Sequence, residues 1–448
     1  MSHAEGHRTR KKVVAAGIAG NVMEWYDFSI YGFFARTIGN LYFPTGDPTT
    51  SLLAAFGVFA VGFLMRPLGA VLFGYIGDRI GRGPALLWSV VAMAVPTFII
   101  GVLPTYAQIG ITASVLMLLC RIMQGLAVGG EYTSSAVFLA ETAHPNKRGA
   151  ASAWAPFGAV AGILLGSAVG AVVMNVLSLE QVVAWGWRIP FLLGVVVGAV
   201  GYLLRRRMPF DKPAATEGFP LLGALRQYPV QMLQVVSISL VLAVSFYLIF
   251  VYIIAWLKLF ADVGASPALL INSFSMVVLL AVTLSISRLS DRIGRKPILV
   301  GAAIGLVLFS WPLMALMQTG NLVYVCLGQL GFALLIGAYG AVTPIAICEI
   351  FPRHLRCSAV SAAYNITLGV AGGTAPAVAT WLIEQTDNPS VPAMYIMASA
   401  VISAIAALSI HESSREAISD TVMPHFAAAV DRDTVSADGR RAHTAVHL

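Results

Sequence analysis

Two carboxylates lie in the first apolar segment of this 448-residue chain, where charged side chains are costly. Glu24 and Asp27 are three residues apart, so a helix places them on one face. A charge at the centre of a bilayer costs about 2.5–3.5 kcal/mol. A buried carboxylate whose surroundings alternate can load and release a proton. The pattern therefore predicts proton coupling, and a fixed structural ion pair is the alternative.

Two arginines, Arg66 and Arg121, are the deepest cations of the chain. Arg121 and Gln124 share a helical face, and Glu131 lies two turns further along the same helix. We predict that Glu131 joins Asp27, Glu24 and Arg121 in proton coupling. For Arg66 two interpretations stay open, a role at a binding site and a structural pair with Glu24 or Glu131.

The elements that position these charges are long apolar segments. Of all residues 58% are hydrophobic and 11% charged, and the mean hydropathy is +0.81, whereas a soluble protein carries about 25% charged residues. Because about 20 apolar residues span a bilayer, the chain predicts twelve transmembrane helices at residues 13–39, 51–75, 84–104, 110–140, 150–173, 188–204, 230–257, 267–287, 298–317, 322–348, 357–383 and 391–410.

Lys and Arg concentrate in the N-terminal segment, the tail and alternate loops, which predicts that both termini are cytoplasmic. The expected location is therefore the cell inner membrane. We divide the chain into a six-helix bundle (1–204), a cytoplasmic loop (205–229), a second bundle (230–410) and a polar tail (411–448) that we expect to be disordered.

Charged hexads recur at matching places in the two halves. Residues 77–82 read Gly-Asp-Arg-Ile-Gly-Arg, and residues 290–295 read Ser-Asp-Arg-Ile-Gly-Arg. This duplication predicts two pseudo-symmetric bundles with a substrate site between them. Charge clusters that form in one conformation and break in another would gate the cytoplasmic side. The predicted gate residues are Asp78, Arg79, Arg82, Glu141, Arg148, Asp291, Arg292, Arg295, Glu349 and Arg356.

Residues 74–82 resemble the signature loop of the major facilitator superfamily. Residues 20–28, 62–69, 121–132 and 185–191 are similar to its metabolite:proton symporter family, which includes carriers of proline/betaine, 2-oxoglutarate, shikimate and citrate. The resemblance extends over nearly the whole chain. It implies an all-α membrane protein with twelve transmembrane helices in two six-helix bundles, and it makes Arg121 the expected partner of the acid on the first helix.

A buried arginine favours a carboxylate ligand, and aromatic rings hold a quaternary ammonium by cation–π contact worth about 0.5–2 kcal/mol. We therefore expect proton-driven symport, by alternating access, of a proline/betaine-type zwitterion. The alternative is a di- or tricarboxylate of the 2-oxoglutarate, citrate or shikimate type; an antiporter or efflux carrier and sodium coupling stay open. The predicted substrate-binding residues are Arg121, Arg66, Trp25, Tyr26, Tyr31, Gln124, Tyr247, Tyr252, Tyr339, Tyr364 and Asn365.

Other classes of protein are disfavoured by missing motifs. The sequence has no HExxH, no GxSxG and no phosphate-binding Gly-x4-Gly-Lys-Ser/Thr, so an enzyme or an ATP-driven pump is not expected. The four cysteines form no CxxC pair, and we expect no metal site and no cofactor. The expected partners are the lipid bilayer, a small-molecule substrate and protons, without nucleic acid, for a carrier that functions as a monomer.

Overall fold

A computed structural model describes residues 18, 20–79, 82–129, 131–205 and 226–412. Within these ranges, side chains are described for all residues except 74–79, 82–86, 131, 134, 138, 142, 145, 204–205 and 353–355. Every regular element in the described ranges is helical. The predicted central loop and the predicted tail lie largely outside them.

The first half forms six helical rods. They are α1 (20–33 and Ala35–Tyr42), α2 (Pro48–Leu64 and Arg66–Arg79), α3 (Arg82–Val102), α4 (Ile111–Val128 and Glu131–Thr142), α5 (Arg148–Ser152 and Trp154–Val176) and α6 (Leu179–Gln181, Val182–Gly186 and Arg188–Arg205). A short helix, Tyr106–Ile109, precedes α4.

The second half repeats this plan. Its rods are α7 (Pro229–Tyr247, Leu248–Tyr252 and Ile253–Phe260), α8 (Ala265–Ile293), α9 (Lys296–Gln318), α10 (Leu322–Glu349), α11 (Arg353–Thr367, Leu368–Gly372 and Gly373–Thr386) and α12 (Val391–Ser409). The middle segments of α7 and α11 are turns of π-helix.

By length and composition, nine helices in the described ranges are able to span a membrane, or ten when the bent α6 counts as one span. The two rods that this criterion omits are α1 and α3, and the apolar stretch of α3, Leu87–Val102, is short. The chain is therefore a multi-pass membrane protein, as its hydropathy predicts.

Some predicted helix ends differ from the observed ones. We predicted that the eighth helix ends at residue 287, but α8 continues to Ile293, so Asp291 and Arg292 lie on a helix and not in a loop. Charged side chains at a helix end in water carry no burial cost, so hydropathy does not mark this end. The helix stops at Gly294, whose φ of 104° is accessible to glycine and strained for other residues.

The two bundles meet around a common interface. Ser167 of α5 donates to the carbonyl of Leu269 on α8 (3.2 Å) and accepts from the Asn272 amide (3.3 Å). On the first-bundle side, glycines of α5 let α1 approach closely: a Cβ at Gly162 would lie 2.4 Å from the carbonyl oxygen of Val22. Such close contact is a common way to pack helices in membranes.

We expect Gly162→Ala to destabilise the protein, because the added methyl group meets backbone atoms that cannot rotate away. Overpacking typically costs about 1–3 kcal/mol, so the melting temperature in detergent should fall. Gly57→Ala is the matched control, since nothing lies within 4 Å of the Cβ that it adds. Equal melting temperatures for the two variants would contradict this account of α1–α5 packing.

Candidate functional site

Asp27 on α1 belongs to a closed network of buried polar side chains. Its Oδ2 lies 3.6 Å from Arg121 Nη1, and its Oδ1 accepts a hydrogen bond of 2.5 Å from Thr97 of α3. Arg121 donates to Oε1 of the Gln124 side chain (2.8 Å). The Nε2 of the same side chain donates to Thr97 Oγ1 (3.0 Å). Side-chain exposure is 3% for Asp27 and 0% for Arg121. The structure thus brings together three predicted residues, Asp27, Arg121 and Gln124.

Glu24 forms a second buried ion pair one helical turn away. Its Oε1 lies 2.6 Å from Arg66 Nη2, with side-chain exposures of 3% and 1%. The Nε of Arg66 donates across the bundle interface to Asn365 Oδ1 on α11 (3.3 Å). Arg66 therefore contacts both bundles. Its ion-pair partner is Glu24, one of the two acids that the sequence analysis considered for it.

The ring of Phe28 packs against both guanidinium groups. Its centroid lies 5.8 Å from Arg66 Cζ and 4.8 Å from Arg121 Cζ. Arg121 also packs over Tyr31, at 4.2 Å, and over Phe59, at 5.6 Å. The ring of Phe28 therefore packs against the arginines of both ion pairs.

A cavity of about 50 Å³ lies where the two bundles meet. It has room for a few waters. Aromatic side chains from four helices form much of its wall, and the other lining residues are mostly aliphatic or small. The aromatic lining residues are Trp25 (α1), Tyr132 (α4), Phe246 and Tyr247 (α7) and Tyr364 (α11).

These rings contact one another. Trp25 stacks on Tyr247 at 6.0 Å and meets Phe246 edge-on at 5.7 Å, while Tyr132 stacks on Tyr364 at 5.1 Å. Among the described side chains, Trp25 Nε1, Tyr247 Oη and Arg66 Nη1 are buried donor atoms without a hydrogen-bond partner. Arg66 lies beside Trp25, with Cζ at 5.9 Å from the indole centroid. Buried polar atoms are seldom left unpaired, so Trp25 Nε1 and Tyr247 Oη, with Arg66 beside Trp25, make this cavity a candidate ligand site.

Four other predicted ligand residues lie away from this cavity, with their hydroxyls bound elsewhere. Tyr26 donates to the carbonyl of Pro190, Tyr31 to that of Ala55 and Tyr339 to that of Ile238. The hydroxyl of Tyr252 contacts Thr380 at 3.3 Å. Of the predicted aromatic residues, Trp25, Tyr247 and Tyr364 line the cavity. The side chain of Glu131 lies outside the described part of the chain.

Charged residues connect the bundles at the face that carries residues 77–79 and 290–295, which we call the signature face. Arg356 Nη1 lies 2.7 Å from Glu141 Oε1, and Arg148 Nη1 lies 3.8 Å from Glu349 Oε1. Both pairs join the first bundle to the second.

Asp291 forms a further bridge at the signature face. Its carboxylate accepts hydrogen bonds from the backbone N–H groups of Gly149 (2.8 Å) and Ala150 (3.0 Å) at the start of α5. Arg295 binds it at 3.0 Å and also reaches Glu349 at 3.4 Å. Arg292 is exposed, and the side chains of the predicted gate residues Asp78, Arg79 and Arg82 lie outside the described residues.

The predicted site residues omit several members of these clusters, among them Tyr132, Thr97, Phe246 and Glu412. Thr97 is one polar residue in an apolar helix, and Phe246 is one of many aromatic residues, so neither has a distinctive sequence signal. Glu412 follows α12 and accepts from the backbone N–H groups of Arg295 (3.0 Å) and Lys296 (2.8 Å). This contact spans more than one hundred residues of sequence.

Comparisons with known proteins agree with this architecture. The family model for Sugar (and other) transporter matches residues 12–209, and that for Major Facilitator Superfamily matches residues 259–425. The glycine betaine/proline/ectoine/pipecolic acid transporter of Dickeya dadantii is 36% identical over 91% of this chain and 84% of its own length. The proline/betaine transporter of Escherichia coli K12 is 33% identical over the same shares.

Solved structures show the same fold. A D-xylose–proton symporter superposes with a TM-score of 0.71 at 17% identity, over 92% of this chain and 99% of that one. The inward-open xylose transporter XylE from E. coli gives 0.69 at 18% identity, over 91% and 97%. Fold and relatives together define a multi-pass membrane transporter of small molecules, not an enzyme, with twelve helices in two six-helix bundles. The chain belongs to the major facilitator superfamily and, within it, to the metabolite:proton symporter family, which confirms the resemblance in the sequence.

We expect Asp291→Asn to slow transport more than it weakens substrate affinity. An amide keeps the shape of the carboxylate but removes the charge that holds Arg295 and binds the N-terminus of α5. Initial rates of uptake across a range of substrate concentrations measure both quantities. Asp262→Asn is the control, because Asp262 is exposed and pairs only with Lys258 in the described structure. A loss of affinity with normal maximal rate would exclude a gating role for Asp291.

Proposed function

We propose that this carrier imports a small zwitterion of the proline/betaine type together with protons, by alternating access. The observation that carries this proposal is the aromatic cavity between the bundles, with the unpaired donors of Trp25 and Tyr247 among its lining residues and Arg66 beside Trp25. We place the carrier in the cell inner membrane with both termini cytoplasmic, because Lys and Arg concentrate in the N-terminal segment, the tail and alternate loops of the sequence. It would act as a monomer without a cofactor, driven by the proton gradient.

The cationic end of such a substrate fits the rings of the cavity. Among the described side chains, none in the cavity wall is acidic, and the nearby carboxylate of Glu24 is already paired with Arg66 at 2.6 Å, so a primary amine would have to compete with Arg66 for an ion pair. The aromatic rings that line the cavity are able to make cation–π contacts instead. Each such contact is worth about 0.5–2 kcal/mol, and a quaternary ammonium needs no hydrogen-bond acceptor. This preference favours solutes such as glycine betaine and proline, whose cationic nitrogen carries few or no hydrogens, over amino acids with a primary amine.

The carboxylate end fits the unpaired donors. Trp25 Nε1, Tyr247 Oη and Arg66 Nη1 each have a hydrogen to donate. Hydrogen bonds to an ionised group are roughly twice as strong as neutral ones. A second carboxylate would need a second cation, but Arg121 lies on the far side of Phe28 and packs against Tyr31. The geometry therefore favours one carboxylate, and a di- or tricarboxylate is the poorer fit.

Proton coupling follows from the position of Asp27. It lies two positions after Trp25 of the cavity on the same helix, so a movement of α1 affects both. When Asp27 takes up a proton, its attraction to Arg121 is lost, and α1 is released from α4. When Asp27 is ionised, the pair holds α1 in place. Substrate binding at Trp25 and protonation at Asp27 would thus act on one rigid element.

We expect glycine betaine or proline to compete for uptake into proteoliposomes driven by an imposed pH gradient. Succinate and 2-oxoglutarate should not compete, because the cavity offers one cationic anchor. The substrate is identified first by screening zwitterions and organic acids under the same gradient. Competition by the dicarboxylates and not by the zwitterions would reject the proposed substrate class.

We expect Asp27→Asn to abolish accumulation driven by a pH gradient while exchange of internal for external substrate persists. The amide keeps the shape of the side chain but carries no exchangeable proton. Arg121→Ala should also abolish accumulation, since it leaves Asp27 as an uncompensated buried charge. Asp387→Asn, at an exposed helix end, is the control. Normal accumulation by Asp27→Asn would transfer the coupling role to Glu24 or Glu131.

A further inference from the structure

The hydroxyl of Thr97 lies at the centre of the Asp27 network. Its Oγ1 is 2.5 Å from Asp27 Oδ1, 2.8 Å from the carbonyl oxygen of Met93 and 3.0 Å from Gln124 Nε2. Thr97 is 2% exposed. Three helices, α1, α3 and α4, therefore meet at one hydroxyl group.

The Thr97 hydroxyl cannot donate a hydrogen bond to both neighbouring oxygen atoms at the same time. A threonine hydroxyl has one hydrogen to donate and two lone pairs to accept. The Gln124 amide donates to it, so the single hydrogen is shared between two acceptors, Asp27 Oδ1 and the Met93 carbonyl. Which acceptor receives it depends on whether Asp27 is ionised.

We propose that Thr97 is a positioning residue whose hydroxyl reorients when Asp27 gains or loses a proton; this inference rests on the proposed proton coupling at Asp27. With Asp27 ionised, the Thr97 O–H donates to Oδ1. With Asp27 protonated on Oδ1, the carboxyl O–H donates to Thr97 Oγ1, and the Thr97 O–H turns to the Met93 carbonyl. Both states are then fully hydrogen-bonded at this position.

The other groups around Asp27 do not supply this function. Arg121 approaches from α4 at the opposite oxygen, Oδ2, which has no hydrogen-bond partner in the described structure. Tyr26 on α1 donates its hydroxyl to the Pro190 carbonyl. Tyr31 on α1 packs over Arg121 but donates its hydroxyl to the Ala55 carbonyl, and Cys120 on α4 has weak hydrogen-bonding capacity. Thr97 is thus the one described side chain that donates a hydrogen bond to the Asp27 carboxylate.

Loss of the hydroxyl should therefore affect proton release more than substrate movement. Without it, the ionised carboxylate of Asp27 has no hydrogen-bond donor, and removal of a hydrogen bond to a charged group shifts an equilibrium about tenfold or more. Net uptake requires Asp27 to ionise in every cycle. Exchange of internal for external substrate uses the loaded carrier in both directions and does not require ionisation.

The test compares Thr97→Val with Thr97→Ser in proteoliposomes, by the ratio of net pH-driven uptake to exchange. Valine has the shape of threonine without the hydroxyl, whereas serine keeps the hydroxyl. We expect Thr97→Val to lower the ratio about tenfold and Thr97→Ser to restore it. Thr343→Val is the matched control, because Thr343 is equally buried and its hydroxyl binds only the backbone carbonyl of Tyr339 in the described structure.

A wild-type ratio for Thr97→Val would overturn the inference, and Asp27→Asn measured in parallel locates the fault. If Asp27→Asn loses accumulation while Thr97→Val keeps it, only the role of Thr97 is wrong. If Asp27→Asn also accumulates substrate normally, the proposed coupling site is wrong as well. Should Thr97→Val fail to show exchange, Thr97→Ala removes the same hydroxyl with less bulk and is judged by the same ratio.

Discussion

The burial of four charges in the first bundle constrains most of the structure. Glu24 and Asp27 on α1 require Arg66 on α2 and Arg121 on α4, because breaking a buried pair leaves an uncompensated charge that costs about 3–5 kcal/mol. The two pairs thereby fix α1 against its neighbours at two levels. In the interior of the second bundle, neutral side chains satisfy the buried polar groups. Asn272 donates to the carbonyl of Phe250, and Gln329 donates to that of Ile249, both in the π-helical turn of α7.

This division separates the tasks of the two bundles in the proposed mechanism. The first bundle holds the groups that change charge, and the second contributes rings and neutral polar groups. Trp25, Phe246 and Tyr247 contact each other across the boundary, so the cavity belongs to both bundles. At the signature face, the contacts of Asp291 with α5 and of Arg356 with Glu141 hold the bundles together. Movement of one bundle against the other has to break these contacts.

The sequence predicted the features that depend on composition and spacing. The helices, the duplication and the charges of α1, α2 and α4 are visible because a charge in an apolar segment is rare. The sequence did not distinguish among aromatic residues: Tyr31 and Tyr247 occur in similar apolar surroundings, and only packing shows that Tyr31 covers Arg121 whereas Tyr247 lines the cavity. Thr97 and Glu412 contact residues that are distant in sequence, and the sequence alone does not show which distant residues come together.

The most direct test of proton-coupled uptake is the movement of protons that substrate itself causes. Wild-type protein in proteoliposomes at equal internal and external pH, with a pH-sensitive dye inside, receives glycine betaine or proline from outside. The account predicts acidification of the interior that saturates with substrate concentration and proceeds without sodium. Substrate entry that requires sodium and leaves the internal pH unchanged would contradict it.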